Sequence, residues 1–297
     1  MSESQKPHEP QKSQESQESQ GSQVWFVTGS SRGLGRAVVV AALDAGHRVV
    51  ATARNPAQLD DLAVAYGDRL HPVALDVTDG AAARAAVLDA VRAHGRLDVL
   101  VNNAGYGDIA PIEDMPEEAF RAQMDTNFYG TYHTTRAAVP VMREQGSGHI
   151  IQVSSSGGRA TTPGLGAYQA AKWAVGGFSE VLSREVGPLG VRVTIIEPGG
   201  LRTDWAGSSM ATPPVGEAYR ETVGAMVEAT RAASGRQPGD PAKAAGVIVR
   251  VAGMAEPPLH LLLGTDGYAY VTASERARTE SDRTWYHLTE SIAFDAA

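Results

Sequence analysis

From Val24 onward, short apolar runs alternate with longer segments in which apolar residues recur at helical spacing. The predicted strands cover residues 24–29, 47–53, 69–77, 97–105, 148–155, 191–199 and 259–264, and the predicted helices cover residues 34–45, 56–66, 79–94, 117–144, 167–187, 216–234 and 240–254. The strands are nearly continuous apolar runs, which is typical of strands buried on both faces of a parallel sheet. The alternation predicts right-handed βαβ units and an α/β fold, in which one doubly wound parallel sheet of about seven strands carries helices on both faces.

The two ends of the chain differ from this middle part. Residues 1–23 contain 16 Ser, Gln or Glu residues and no large apolar residue after Met1. Such a segment has too little apolar surface to offset the entropy lost on ordering, so we predict that it is disordered. We predict a single domain over residues 24–264 and an extension over residues 265–297 that packs on the same domain.

Composition narrows the classes of function. The formal net charge is −8, which disfavours a nucleic-acid surface or a polybasic membrane patch. The chain has no cysteine, which excludes disulfides, thiolate zinc sites and cysteine nucleophiles. Its 8 histidines are scattered without metal-ligand spacing, so no metal site is predicted. Because the chain has neither an apolar run of about 18 residues nor a signal or transit sequence, we expect a cytoplasmic protein without a membrane partner.

A glycine-rich stretch, TGSSRGLG at residues 28–35, directly follows the first predicted strand and opens a helix. Its glycines permit a tight turn and close approach of the backbone to a pyrophosphate, and the helix N-terminus supplies N–H donors. An ordinary glycine-rich turn is the alternative, but the strand–loop–helix context favours a Rossmann-type dinucleotide site. The loop residues predicted to contact the cofactor are Gly29, Ser31, Arg32, Gly33, Leu34 and Gly35.

The end of the second strand bears on the choice of nicotinamide cofactor. In NAD sites an acidic residue there binds the ribose 2′-hydroxyl, whereas an arginine suits the 2′-phosphate of NADP. The strand ends in ATARNP, in which Ala53 stands where an acid is expected and Arg54 follows. With Arg32 in the glycine loop, two guanidinium groups are predicted to reach one phosphate. This pattern favours NADP(H), and Asp76 and Val77 are candidates for the adenine edge.

The segment YQAAK, residues 168–172, places a phenol and an ammonium group one helical turn apart. A phenol with a pKa near ~10 exchanges protons at neutral pH only if its anion is stabilised, and a nearby ammonium group does this electrostatically. Together with the glycine loop, NNAG at 102–105 and the serines at 154–156, this segment resembles the short-chain dehydrogenase/reductase family over residues 24 to about 264.

This resemblance implies catalytic roles for four residues. Tyr168 donates the proton, and Lys172 also holds the nicotinamide ribose. A serine hydroxyl shares the reacting oxygen with the tyrosine, and the family spacing of 13 positions selects Ser155. Asn127 matches a helix asparagine that, with a local helix irregularity, positions water, although an asparagine merely tolerated within a helix is the alternative. The other residues implied to line the cofactor are Asn103, Ala104, Gly105, Pro198, Gly199, Leu201 and Thr203.

Residues 201–240 are expected to cover the substrate. The segment is apolar with interspersed hydroxyl groups, which favours a hydrophobic or aromatic carbonyl substrate, although the same residues could simply pack the loop on the domain. The expected pocket residues are Leu201, Trp205, Met210, Pro213, Pro214, Tyr219 and Met226, with Tyr106 and Leu165. The helices over 117–144 and 167–187 pair in family dimers, so a homodimer is expected, with a monomer as the alternative.

These features predict an NADPH-dependent reductase/dehydrogenase that interconverts a carbonyl and a secondary alcohol, with Tyr168 as proton donor and acceptor. The alternative is a cofactor-sensing binding protein that keeps the fold without turnover. Asn127, Ser155, Tyr168 and Lys172 argue against this alternative, because a sensor does not need a proton donor. Dehydratase or epimerase chemistry on nucleotide sugars is disfavoured, because the glycine motif and the chain length are those of the simpler reductases.

Overall fold

The computed structural model describes residues 21–206 and 210–294. At its centre is a seven-stranded parallel sheet with the strand order β3-β2-β1-β4-β5-β6-β7. The strands are β1 (Val24–Val27), β2 (Arg48–Ala53), β3 (Leu70–Ala74), β4 (Val99–Asn102), β5 (Gly148–Val153), β6 (Val191–Pro198) and β7 (His260–Leu263). The predicted doubly wound α/β fold is confirmed.

Helices cover both faces of this sheet. The α-helices of the described residues are α1 (Gly33–Asp44), α2 (Asp60–Tyr66), α3 (Gly80–His94), α4 (Glu117–Met124), α5 (Gly130–Gln145), α6 (Gly166–Val186), α7 (Ala225–Ala233), α8 (Pro241–Ala252), α9 (Thr265–Thr284) and α10 (Tyr286–Glu290). On one face, Val38 of α1 and Ile248 of α8 are fully buried against the sheet. On the other face, Val87, Met142 and Leu182 pack from α3, α5 and α6. The sheet is thus buried on both faces, which explains why its strands lack polar alternation.

The order of the strands creates a crevice at the carboxyl edge of the sheet. β1 pairs with β2 on one side and with β4 on the other. From β1 the chain proceeds outward to β2 and β3, and it then returns to place β4 beside β1. The loops that follow β1 and β4 therefore leave in opposite directions, and ligands of such sheets bind in the space between them.

Several element boundaries differ from the prediction, and two of the differences have a clear local cause. β3 ends at Ala74 and not at residue 77, because the chain turns at Asp76, whose carboxylate accepts hydrogen bonds from the N–H (3.0 Å) and the hydroxyl (2.8 Å) of Thr78. The predicted helix over 117–144 contains a π-helical turn, Asp125–Tyr129, between α4 and α5. Local hydrogen bonding sets both of these features. The periodicity of apolar residues does not predict such bonds.

Residues 1–20 of the predicted disordered tail lie outside the described residues. The end of this segment belongs to the fold, because Gln23 accepts a hydrogen bond from the Arg48 N–H (2.9 Å) and Ser22 donates one to the Gly46 carbonyl (3.0 Å). The folded unit therefore begins earlier than predicted. At the other end, β7 leads directly into α9, the longer helix of the C-terminal extension. No helix within the described parts of the chain is long and apolar enough to cross a membrane.

Candidate active site

A cavity of about 990 Å³ lies at the carboxyl edge of the sheet. The predicted site residues that line it are Gly29, Ser31, Arg32, Gly33, Leu34, Arg54, Asp76, Val77, Asn103, Ala104, Gly105, Ser155, Tyr168, Lys172, Pro198, Gly199, Leu201 and Thr203. Two further predicted residues, Gly35 and Asn127, do not line it. Motifs that are far apart in the sequence thus meet in one cavity, because each follows the carboxyl end of a strand or lies on α6.

Close backbone contacts explain two of the loop glycines. Gly29 has a φ of +66°, and a Cβ atom there would lie 2.8 Å from the Cα atom of Ala104. A Cβ atom on Gly35 would lie 2.3 Å from the Gly29 carbonyl oxygen. Asn103 Nδ2 donates to the same carbonyl oxygen (3.1 Å), which ties the glycine loop to the NNAG segment. Gly35 therefore packs α1 beneath the loop, behind the cavity wall.

The start of α1 presents unpaired backbone donors at this end of the cavity. The helix begins at Gly33, and its N-cap residue Arg32 makes no side-chain capping bond. The N–H groups of the first turn therefore keep their capacity to bind a ligand, and the positive end of the helix dipole favours an anion. This geometry suits a phosphate group.

Two exposed guanidinium groups, those of Arg32 and Arg54, line the same end of the cavity. Ala53, at the end of β2, is buried and places no carboxylate there. The nearest acidic residue that lines the cavity, Asp76, already accepts hydrogen bonds within its own turn. Hydrogen bonds from the Thr78 N–H and hydroxyl lower the pKa of Asp76, and the charge of Arg54 acts in the same direction. This end of the cavity therefore combines two cations with one carboxylate that is already hydrogen-bonded.

At the other end, α6 presents Tyr168 and Lys172 on one face, and both side chains are buried. Lys172 Nζ donates to the Val153 carbonyl at the end of β5 (2.8 Å) and lies 5.8 Å from the centre of the Tyr168 ring. The side chain of Ser155 faces the Tyr168 hydroxyl, and hydrogen bonding between them acts to lower the pKa of the phenol. A phenol, a hydroxyl and an ammonium group thus converge on one point of the cavity wall.

Burial dominates the acid–base properties of this pair in the free protein. It raises the pKa of Tyr168 to about 12, and the hydrogen bond with Ser155 opposes this only in part. Burial also lowers the pKa of Lys172 to about 8. The sequence-based expectation that the ammonium group acidifies the phenol therefore does not describe the cofactor-free chain. In that chain the desolvation of both groups outweighs their attraction.

The three consecutive serines have different partners. Ser154 Oγ donates to the Lys172 carbonyl (3.2 Å), so it pins the end of β5 to α6. Ser155 Oγ accepts from the Gly157 N–H (3.0 Å) and faces Tyr168. Ser156 lines the cavity farther along. Of the three, Ser155 is the serine positioned to share a bound oxygen with Tyr168.

Asn127 lies in the π-helical turn, completely buried behind the cavity wall. Its Nδ2 donates to the carbonyls of Tyr106 (2.9 Å) and Gln123 (2.8 Å), and its Oδ1 accepts from the Tyr106 N–H (3.1 Å). A π-helical turn interrupts the regular helical hydrogen bonding, and the side-chain amide satisfies a carbonyl there. The helix irregularity expected from the family resemblance is present, and Asn127 uses it to fix the loop that follows β4.

The residues expected on the substrate side divide into two groups. Those that line the cavity are Tyr106, Leu165, Leu201, Trp205 and Met226. The centre of the Trp205 ring lies 5.1 Å from that of Tyr168. Met210 and Tyr219 instead pack in an apolar cluster around Ile109 and Val223, and Pro213 and Pro214 are exposed. Part of this segment therefore lines the cavity and part packs on the domain, and a hydrophobic or aromatic carbonyl substrate stays a prediction.

The cavity also has lining residues that the motifs do not identify. They include Thr162 before α6, Gln169 on α6, Gln237 before α8, and Tyr270 of α9. Tyr270 is more than a hundred residues from Tyr168 in the sequence and belongs to no motif, so only the packing of α9 places it here. Among the residues that the structure describes, no cluster of three or more His, Asp or Glu side chains could hold a metal ion.

Comparisons with known proteins point to the same family that the sequence motifs resemble. The sequence model of the short chain dehydrogenase family matches residues 23–213. The oxidoreductase BOA17 of Botryotinia fuckeliana is 49% identical over 272 residues, which cover 91% of this chain and 99% of that protein. A short-chain dehydrogenase from Streptomyces avermitilis superposes with a TM-score of 0.87 at 38% identity, covering 92% of this chain and all of the other.

A metagenomic short-chain oxidoreductase, solved in complex with NADP, superposes with a TM-score of 0.67 at 29% identity and covers 82% of this chain and 98% of its own. The matched segment contains the glycine loop, the NNAG segment, the three serines and the Tyr168–Lys172 pair, which are the parts that meet in the cavity. The chain therefore belongs to the short-chain dehydrogenase/reductase family of oxidoreductases.

Proposed function

We propose that the protein is an NADP(H)-dependent enzyme that interconverts a carbonyl group and a secondary alcohol. The observation that carries this proposal is the convergence of Tyr168, Ser155 and Lys172 in a cavity whose other end is lined by the glycine loop. Such a set of side chains can donate a proton to a carbonyl oxygen and stabilise the charge that develops on it.

The residues of this chain fit a nicotinamide dinucleotide. The N–H groups at the start of α1 suit its pyrophosphate, and Gly29 and Gly33, which carry no side chain, line the cavity beside them. Arg32 and Arg54 would hold the ribose 2′-phosphate of NADP(H), beside Ala53, which has no carboxylate to repel it. Lys172 would hold the nicotinamide ribose.

Reduction of a carbonyl needs a proton and a hydride, and the reduced nicotinamide supplies the hydride when bound. Tyr168 supplies the proton. Its phenol is neutral at neutral pH, since burial raises its pKa to about 12. An alkoxide is a far stronger base than a phenolate, so the proton passes readily to the reduced oxygen. Ser155 holds that oxygen, and the Lys172 ammonium group stabilises the phenolate that remains.

The substrate side of the cavity favours an apolar carbonyl compound. Leu165, Trp205 and Met226 line it, and the Trp205 ring lies next to Tyr168. These side chains would bury a hydrocarbon or aromatic group beside the reacting carbon. We therefore propose hydrophobic or aromatic ketones and aldehydes as the substrate class.

The test is a set of small polar and larger apolar carbonyls assayed with NADPH and with NADH, in the wild type and in Tyr168→Phe. We expect NADPH-dependent turnover of the apolar carbonyls and a loss of about 10²- to 10⁴-fold in kcat in the variant, because the proton donor is gone. Tyr286→Phe, at an exposed tyrosine of α10, is the matched control and should leave kcat unchanged.

Three outcomes would oppose the proposal in different ways. Undiminished turnover in Tyr168→Phe would remove the proposed proton donor. A preference for small polar carbonyls would remove the substrate class. Binding of NADPH without reduction of any carbonyl would favour a cofactor-binding protein without turnover.

A further inference from the structure

α9 lies outside residues 23–213, the segment matched by the family's sequence model, yet it contacts the loops that carry the proposed chemistry. Its first turn packs on the turn after β6, where Asp266 Oδ2 accepts a hydrogen bond from the Gly200 N–H (2.8 Å). A Cβ atom on Gly267 would lie 3.5 Å from the Cβ atom of Ser156, so the helix also abuts the serine segment. The start of α9 is therefore in van der Waals reach of two walls of the cavity.

One turn later, the ring of Tyr270 lines the cavity itself. Its hydroxyl donates to the Thr161 carbonyl and lies 2.7 Å from the Thr162 hydroxyl. Thr162 in turn donates its N–H to Gln169 Oε1 of α6 (2.8 Å), and both residues line the cavity beside Tyr270. The hydroxyl thus fixes the position of Tyr270 at the cavity wall.

A cluster of charged side chains holds the middle of α9 against the loop that contains Ser155 and Arg159. Arg159 lies four residues after Ser155 in the sequence. Its guanidinium donates to Glu197 Oε2 on β6 (2.9 Å) and, through Nε, to Glu275 Oε1 on α9 (2.9 Å). Glu197 is only 1% exposed, so this arginine provides the charge partner that a buried carboxylate requires.

A second arginine reinforces the same contact. Arg278 of α9 donates to the Arg159 carbonyl, and its guanidinium lies over the Trp173 ring, 4.8 Å from its centre. Trp173 directly follows Lys172 on α6. The helix is therefore bound to the serine loop and to α6 at separate points, which makes it a fixed wall of the cavity.

We propose that α9 is part of the active site and that the Tyr270 ring forms the outer wall of the substrate pocket. This inference rests on the proposed carbonyl chemistry and adds a specificity-determining residue to it. The ring contacts the part of an apolar substrate that extends away from the reacting carbonyl. Tyr270 therefore favours carbonyl compounds with a bulky second ring or branch over small ones that stay beside Tyr168.

The test compares two probes, cyclohexanone and 1-decalone, which share a cyclic ketone and differ by one fused ring. Their dissociation constants are measured by calorimetry with the free protein and with NADP⁺ present, since oxidised cofactor cannot reduce a ketone. For Tyr270→Ala we expect about five- to tenfold weaker binding of 1-decalone and less than a twofold change for cyclohexanone, because only the larger probe loses an apolar contact.

Two control variants separate the ring from other causes. Tyr270→Phe keeps the ring and should bind 1-decalone like the wild type. Tyr268→Ala removes an exposed tyrosine of the same helix that does not line the cavity, so it should change neither constant. Melting temperatures of the three variants report whether α9 remains folded.

Equal binding of 1-decalone by Tyr270→Ala and Tyr268→Ala would overturn the inference. A loss in Tyr270→Phe as large as in Tyr270→Ala would also overturn it, because the hydroxyl anchor and not the ring would then matter. So would failure of the wild type to bind 1-decalone. The wild type could bind 1-decalone with the expected dependence on Tyr270 but reduce no carbonyl with NADPH. That result would support the inference about Tyr270 and contradict the proposed function.

Discussion

Lys172 is a basic side chain that the fold buries almost completely, and its Nζ donates a hydrogen bond to the Val153 carbonyl. Removing an ammonium group from water costs free energy, which is why burial lowers its pKa to about 8. A lysine that only stabilised the helix would lie on its surface, with the ammonium group in water. Its burial beside Tyr168 is what the proposed role of Lys172 in the chemistry requires.

The same burial predicts how stability depends on pH in the cofactor-free protein. Between the folded pKa of about 8 and the ordinary value of 10.5, Lys172 holds its proton in the unfolded chain but releases it in the folded chain. The unfolded state then binds more protons, so the free energy of unfolding rises with pH across this window. Below it, both states are protonated and the folded chain carries the full cost of the buried charge.

We therefore expect the free energy of unfolding of the wild type, relative to Lys172→Met, to rise by on the order of 1–2 kcal/mol between pH 7.5 and 9.5. Urea denaturation at both pH values measures it. This range lies below the window in which Tyr168 has the opposite effect, since its raised pKa of about 12 makes stability fall above pH 10. Lys243→Met, at an exposed lysine of α8, is the control, and a parallel pH dependence in all three proteins would contradict the prediction.

At the scale of elements, α9 packs so closely on the turn after β6 that one position has no room for a side chain. A Cβ atom on Gly267 would lie 2.9 Å from the nitrogen and 3.0 Å from the Cα atom of Gly199. Both contacts are with backbone, so neither can be relieved by a side-chain rotation. α9 can pack this closely on the turn beside the cavity only because residue 267 is glycine.

Gly267→Ala should therefore lower the free energy of unfolding by about 1–3 kcal/mol, since either the helix or the turn has to move. We also expect lower kcat, because Gly199 lines the cavity. The matched control is Gly246→Ala in α8, where a Cβ atom would meet nothing within 4 Å. That substitution should stabilise the helix by about 0.5–1 kcal/mol. Equal stability of the two variants in urea denaturation would show that the contact at Gly267 is not as close as described.

At the scale of the whole molecule, the cavity joins elements that lie far apart in the chain. The glycine loop, the ends of β2 and β4, the serine segment, α6, the turn after β6 and α9 all contribute walls. A ligand that bridges these walls binds the folded chain and not the unfolded one. It should therefore raise the stability of the entire domain by mass action.

We expect saturating NADP⁺ to raise the melting temperature more than NAD⁺ at the same concentration, and Arg54→Asp to reverse this order. Loss of the charge-assisted hydrogen bonds to a 2′-phosphate should weaken NADP⁺ binding roughly tenfold or more, which removes about 1.4 kcal/mol of the stabilisation. Thermal denaturation with each cofactor measures it. Arg48→Asp makes the same charge change at the opposite end of β2, and an equal effect there would mean that net charge and not Arg54 sets the preference.

Pairing of two copies through the helices over 117–144 and 167–187 stays a prediction. Gel filtration or sedimentation measures the oligomeric state directly.

The sequence by itself determined the sheet, its parallel strands and most of the cavity lining. These follow from local information, since apolar runs and helical periodicity set the elements, and residues at the carboxyl ends of parallel strands necessarily meet at one edge. The Tyr168–Lys172 pair is local in the same sense, because one helical turn places both side chains on one face.

Only the tertiary structure decided which of these residues reach the cavity and what their environment is. Gly35 and Asn127 lie behind its wall, Met210 and Tyr219 pack in the apolar cluster around Ile109 and Val223, and Tyr270 joins from α9. The pKa of Tyr168 likewise depends on how completely neighbouring elements exclude water from it. Burial and close approach are sums over contacts between distant parts of the chain, so no stretch of sequence contains them.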